Sequence, residues 1–171
     1  LVFMPGKTSI AFQRIINGAI EGYNARIITR VRDIPLLNNR KVLWAIELNK
    51  YGFNLSLENM LQNICAKDGD TFKNTLGAII IQSPIELWTK YNAYRIIFQT
   101  NQLGCSYIGH PVVEATENLV NFKTWQKQLK ISLPEIYQQK SRNVVYRLMV
   151  SKKPMFKKPR ILVLYSNPRK T

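Results

Sequence analysis

The chain has 171 residues, 25 Lys and Arg against 10 Asp and Glu, a single His, two Cys, and 46% hydrophobic residues. That length suits one ordinary domain whose core needs neither disulfides nor a metal. Aliphatic and aromatic residues are too frequent, and Pro and Gly too sparse, for a disordered chain.

A short apolar run, Leu1 to Met4, ends at Pro5-Gly6 and reads as a first strand. Thr8 and Ser9 are N-cap residues for a helix carrying Ile10, Phe12, Ile15, Ile16, Ala19 and Ile20 at helical spacing. Ala25 to Val31 is β-branched and reads as a second strand, and Val42 to Leu48 as a third after the turn-like Asn38-Asn39. Leu55 to Ala66 places Leu57, Met60, Leu61, Ile64 and Cys65 on one helical face. Leu76 to Ile81 is uniformly apolar, as a strand covered on both faces should be. Glu86 to Leu103 reads as a helix with Leu87, Tyr91, Tyr94, Ile97 and Phe98 turned inward and Gly104 as its C-terminal cap. Cys105 to Ile108 is a short fifth strand, and Pro134 to Val150 a final helix.

This β-α-β-β-α-β-α-β-α order predicts an α/β three-layer sandwich with a mostly parallel sheet. Five strands by residue 108 complete a flavodoxin-like (Rossmann-like) order, 2-1-3-4-5, over residues 1–150, with ligands expected at the strands' carboxyl ends. Residues 151–159, with four Lys and two Pro, have the composition of a basic linker. Arg160 to Tyr165 then reads as a fresh buried-type strand leading into the loop Ser166 to Thr171.

Polar residues gather after the predicted strands. Glu47 and Asn49 follow the third; Ser83, Glu86, Thr89 and Lys90 the fourth; His110, Glu114, Thr116 and Asn118 the fifth. Lys7, Thr8, Ser83, Lys90 and His110 are thus candidates for an anion or ligand crevice, although strand ends are polar in any α/β protein. Gly6-Lys7-Thr8 has the ending of a nucleotide-binding P-loop but lacks its first glycine, since Leu1 stands there. Backbone N–H groups with Thr8 or Ser9 could still hold a phosphate or a carboxylate, with capping as the plainer role. His110 is the single histidine, the side-chain type suited to acid–base work near neutrality, but no companion nucleophile marks it as catalytic. Trp88, Tyr91, Tyr94, Tyr107 and Trp125 could stack on a flat ring, with core packing the default. Cys65 and Cys105 are expected to be reduced and buried, as in a cytoplasmic protein, and no Cys/His set suggests a metal. The apolar runs at 78–81 and 161–164 are far short of the ~20 residues a membrane span needs, and no signal-peptide pattern is visible.

Charge is concentrated at the end: residues 140–171 hold ten basic residues and no acidic one. Such a stretch is either a solvated linker or a contact for nucleic acid or another polyanion. A non-enzymatic binding module is therefore the alternative function.

Arg160 to Thr171 resembles the first strand and phosphate loop of flavodoxin-like NAD(P)H-dependent FMN reductases. Pro168, Arg169 and Lys170 match that family's loop, while Ser166 stands where Gly is usual and Asn167 replaces Ser. Glu86 to Phe122 also looks like the N-terminal region of larger flavodoxin-family oxidoreductases, a likeness spanning roughly residues 40–130. The resemblance implies the N-terminal part of an NAD(P)H-dependent flavin oxidoreductase, without a complete active site in this chain. Asn167, Arg169 and Lys170 would contact the FMN phosphate. Residues 1–150 would pack on the flavin domain, mediate dimerisation or bind a small anion, and hydride chemistry would belong to the flavin.

Overall fold

The computed structural model describes residues 1–66 and 71–152. The proposed linker beyond Lys152 and the strand and loop at 160–171 lie outside the described residues. Among the described residues five parallel strands form one sheet in the order β2-β1-β3-β4-β5: β1 (Val2–Phe3), β2 (Ile27–Ile28), β3 (Lys41–Glu47), β4 (Thr75–Gln82) and β5 (Cys105–Ala115). This is the flavodoxin-like arrangement that the alternation of elements predicts. Four helices among these residues cover the sheet, α1 (Ile10–Ile20), α2 (Leu55–Cys65), α3 (Thr89–Gln102) and α5 (Leu133–Val150), while α4 (Lys123–Leu129) buries no residue and lies against α5 and the segment before it.

Each central strand is buried on both faces because its alternate side chains enter two different cores. From β3, Leu43 and Ala45 join Val2, Ala78 and Ile80 beneath α1 and α5. Val42, Trp44 and Ile46 join Phe3, Ile79 and Ile81 beneath α2 and α3. Trp44 is fully buried and stacks on Phe3, with ring centroids 4.7 Å apart and planes inclined by 18°.

Three differences from the sequence reading have physical causes. The second strand keeps only Ile27–Ile28, because it is an edge paired to a β1 with two ladder residues, and Val31–Asp33 turns into a 3-10 segment. The fifth strand does not stop at Ile108. A bulge opposite Gly77 to Ile79 absorbs Gly109-His110-Pro111, and pairing resumes at Val112. The stretch after it, without a clear apolar period, forms a 3-10 segment at Glu117–Phe122 and then α4.

The face of α3 is also largely the reverse of the one expected: of the residues expected inward only Ile97 packs against the core. Thr89, Asn92, Ala93, Ile96 and Thr100 are buried, while Leu87, just before the helix, and Tyr91, Tyr94 and Phe98 on it are exposed. The aromatic spacing is helical, but the stripe points to solvent. Cys65 corrects the expectation of two buried thiols, because it is exposed at the end of α2, whereas Cys105 is buried. A thiol reagent added to the folded protein is therefore expected to modify Cys65 rapidly and Cys105 only after denaturant. Equal native reactivity of the two would contradict this placement.

Among the described residues, no helix is long and apolar enough to cross a membrane. No group of three or more His, Cys, Asp or Glu among them is placed to hold a metal ion.

Candidate functional site

At the carboxyl ends of the strands lies a cleft of about 940 Å³, walled by the β1–α1 loop, the β3–α2 loop, the start of the β4–α3 loop, the segment after β5, and α5. Its position follows from parallel order alone: every loop leaving a strand end emerges on the same side. Gly6 makes the first turn possible. Its φ is +80°, and a Cβ there would meet the Ser56 hydroxyl at 2.9 Å, so the loop after β1 lies directly against the start of α2.

A carboxylate sits at the centre of these loops. Glu47, the last residue of β3, accepts from the Ser9 backbone N–H on Oε2 at 2.5 Å and from the Ser9 hydroxyl on Oε1 at 2.7 Å. Gln82, its register partner on β4, donates to Oε1 at 2.6 Å. Ser9 is also the N-cap of α1, accepting from the Phe12 N–H at 3.2 Å. The neighbouring loops are tied in the same way. Asn54 caps α2 through its Oδ1 while its Nδ2 donates to the carbonyls of Pro5 at 3.2 Å and Glu47 at 3.0 Å. Asn49 Oδ1 accepts from the N–H groups of Tyr51 and Phe53. Asn92 bridges the next pair of loops, donating to the carbonyls of Gly52 and Trp88. There Gly52, with φ +81°, packs so closely that a Cβ would lie 2.4 Å from the indole of Trp88.

Tyr137 on α5 lines the inner wall of the cleft. It is almost completely buried, stacks on Phe122 with centroids 5.6 Å apart, and its hydroxyl has no hydrogen-bond partner. Burial, reinforced by the Glu47 charge, pushes its phenol well above the ordinary value. Lys7 and Arg14 add positive charge at the rim.

Of the crevice residues expected from sequence, Lys7 and Ser83 meet in this cleft, with the Ser83 hydroxyl accepting from the Ile85 N–H at 3.3 Å. Thr8 is half-buried beside it, and its carbonyl accepts from Gln13. Lys90 belongs to an adjoining hollow, 3.9 Å from Glu114, whose other oxygen accepts from Thr89 at 2.9 Å. His110 stands apart. Because β5 runs on to Ala115, His110 lies at the bulge with φ +49° and not at a strand end, and Arg147 donates to its carbonyl at 3.0 Å. Asn167, Arg169 and Lys170 lie outside the described residues.

Sequence reasoning placed Glu47 at a strand end but missed its partner Gln82. It also missed Arg14 and Tyr137, which sit inside helices and carry no local signal. Of the aromatics considered for stacking on a ring, Tyr91 and Tyr94 face solvent. Trp88 covers Gly52, and Trp125 lies under the Lys140 ammonium, 3.4 Å from the ring centroid.

The fold defines an α/β protein of flavodoxin-like topology. Among solved structures it resembles RosB with bound 8-demethyl-8-formylriboflavin-5'-phosphate, with a TM-score of 0.60 at 9% identity over 99% of this chain and 94% of that one. It also resembles FerB, the flavoenzyme NAD(P)H:(acceptor) oxidoreductase of Paracoccus denitrificans (TM-score 0.55, 13% identity, 86% of this chain and 96% of that one). A third is an NADPH-quinone reductase from P. pentosaceus (TM-score 0.52, 13% identity, 83% and 96%). No protein-family model and no curated protein sequence matches the chain.

A flavin 5'-phosphate does not fit at the start of α1 as it stands. The amino end of α1, where a phosphate would find backbone N–H donors and the helix dipole, already holds the Glu47 carboxylate.

Proposed function

We propose that this chain is the N-terminal, flavodoxin-like portion of an NAD(P)H-dependent flavin oxidoreductase in which the flavin is held outside residues 1–152. The observation that carries this reading is the 2-1-3-4-5 parallel sheet, in a fold that resembles flavin-phosphate-bound RosB, the oxidoreductase FerB and an NADPH-quinone reductase. The FMN phosphate is assigned to Asn167, Arg169 and Lys170, within the sequence Arg160 to Thr171 that resembles the reductases' phosphate-binding segment. A bound flavin would supply the hydride chemistry, and the described domain would supply packing. The exposed aromatic row of α3 supports that role, because a contiguous apolar surface is characteristic of an interaction face.

The test is made on the protein carrying this chain at its amino end. It is expected to take up FMN and turn yellow, and the paired substitutions Arg169→Ala and Lys170→Ala should weaken FMN far more than riboflavin, which lacks the phosphate. A folded protein that stays colourless with excess FMN would refute the assignment.

A further inference from the structure

The α1 amino terminus is an anion site that the protein fills with its own side chain. Three donors from two separate segments converge on one carboxylate: the Ser9 N–H, the Ser9 hydroxyl and the Gln82 amide, at 2.5, 2.7 and 2.6 Å from Glu47. Hydrogen bonds to an ionised acceptor are the strong kind, and the positive end of a helix favours negative charge further. The β3–β4 register aligns Glu47 with Gln82, and the Asn54 amide holds the Glu47 carbonyl and the Pro5 carbonyl together. The carboxylate is therefore built into the site and is not a side chain resting there by chance. An incoming phosphate would have to break all three bonds and then lie beside the displaced carboxylate, like charge against like.

We infer that Glu47 is a resident phosphate mimic: it closes the α1 anion site of this domain to phosphorylated ligands, and its removal opens that site. What remains behind it is a ready-made receptor for an oxyanion. Ser9 and Gln82 would lose their acceptor, while Lys7 and Arg14 already stand on the cleft wall. Glu47 thus determines specificity by exclusion, a device that sets ligand choice through a repulsive group as much as through attractive ones. The inference concerns only this cleft and holds whether or not a flavin is bound elsewhere in the protein.

Inorganic phosphate, FMN and riboflavin are titrated into the 171-residue chain while the backbone amide of Ser9 is followed by NMR. In the wild type the Ser9 amide should stay unmoved by phosphate and by FMN, even where FMN binds through another segment. In Glu47→Ala the same amide should shift saturably with phosphate, with an affinity at least about tenfold above any wild-type binding. Glu47→Gln, close to the same shape but without the charge, provides a second variant should the alanine protein fail to fold, and a smaller saturable shift is expected from it. Wild-type Ser9 responding to phosphate or FMN as strongly as the variants do would overturn the inference. So would a folded Glu47→Ala or Glu47→Gln protein whose Ser9 amide ignores phosphate. Loss of FMN binding after Arg169→Ala with an unmoved Ser9 amide would bear on the flavin assignment alone.

Discussion

Trp44→Ala is expected to destabilise the domain by about 3–5 kcal/mol, the range for deleting a large aromatic side chain from a packed core. Trp44 has no solvent exposure, stacks on Phe3, and has Phe72 tilted against it with centroids 6.3 Å apart. It thus joins β1, β3 and the segment before β4, and the cavity left behind would be lined by rings that cannot collapse into it. Tyr94→Ala on α3 is the control. That ring is 64% exposed, so its removal should change stability by no more than about 0.5 kcal/mol. Urea unfolding of both variants against the wild type measures the difference. Equal losses would mean that the exposed and buried faces of the aromatic set have been interchanged.

The second large effect is alkaline. Burial raises the phenols of both Tyr107 and Tyr137 well above the ordinary value of 10.0. For Tyr107 the Cys105 side chain adds to the rise, while the hydrogen bond with Thr100, 2.7 Å long, partly offsets it. In the unfolded chain both phenols ionise near their ordinary value; in the folded protein they remain protonated. Above about pH 10 the unfolded state therefore sheds protons that the folded state retains. Stability should then fall by about 1.4 kcal/mol per pH unit for each phenol, and by about 2.7 for the two together. Below that pH both states are protonated and the two phenols contribute no slope. Tyr137→Phe should remove about half of the slope, because it deletes one of the two buried phenols, at little cost at neutral pH since the hydroxyl has no hydrogen-bond partner to lose. A wild-type and variant pair with the same alkaline slope would show that this phenol ionises in place.

The contrast between these residues also explains what was legible in the sequence. Helix and strand type followed from apolar period, and the parallel order followed from their alternation, because β3 and β4 are uniformly apolar in the way doubly covered strands must be. Period alone does not say which of two candidate stripes on a helix is buried. On α3 the buried stripe is Ala93 and Ile96 with Thr89, Asn92 and Thr100, whose polar groups are satisfied locally: Thr100 by the Ile96 carbonyl, Thr89 by Glu114, and Asn92 by the two loops it joins. Such residues look like a solvated face until their partners are known. The same limit applies to the site. Glu47 was visible as polarity at a strand end, but its role depends on Ser9 and Gln82, residues 38 positions before it and 35 after it. Gly109-His110-Pro111 misled for a different reason: these residues usually end a strand, yet an edge strand tolerates them in a bulge.

That bulge has a consequence for how the protein behaves among its own copies. Among the described residues β5 forms one border of the sheet, where a straight ribbon would offer a template to any neighbouring chain. Here Pro111 brings no amide hydrogen, and His110 turns the backbone out of line. The Arg147 guanidinium, reaching over from α5, occupies the Gly109 and His110 carbonyls. Among the described residues that flank is thereby interrupted near its middle, and a bulge of this kind is one of the devices that blunt a strand edge against pairing with a neighbouring chain.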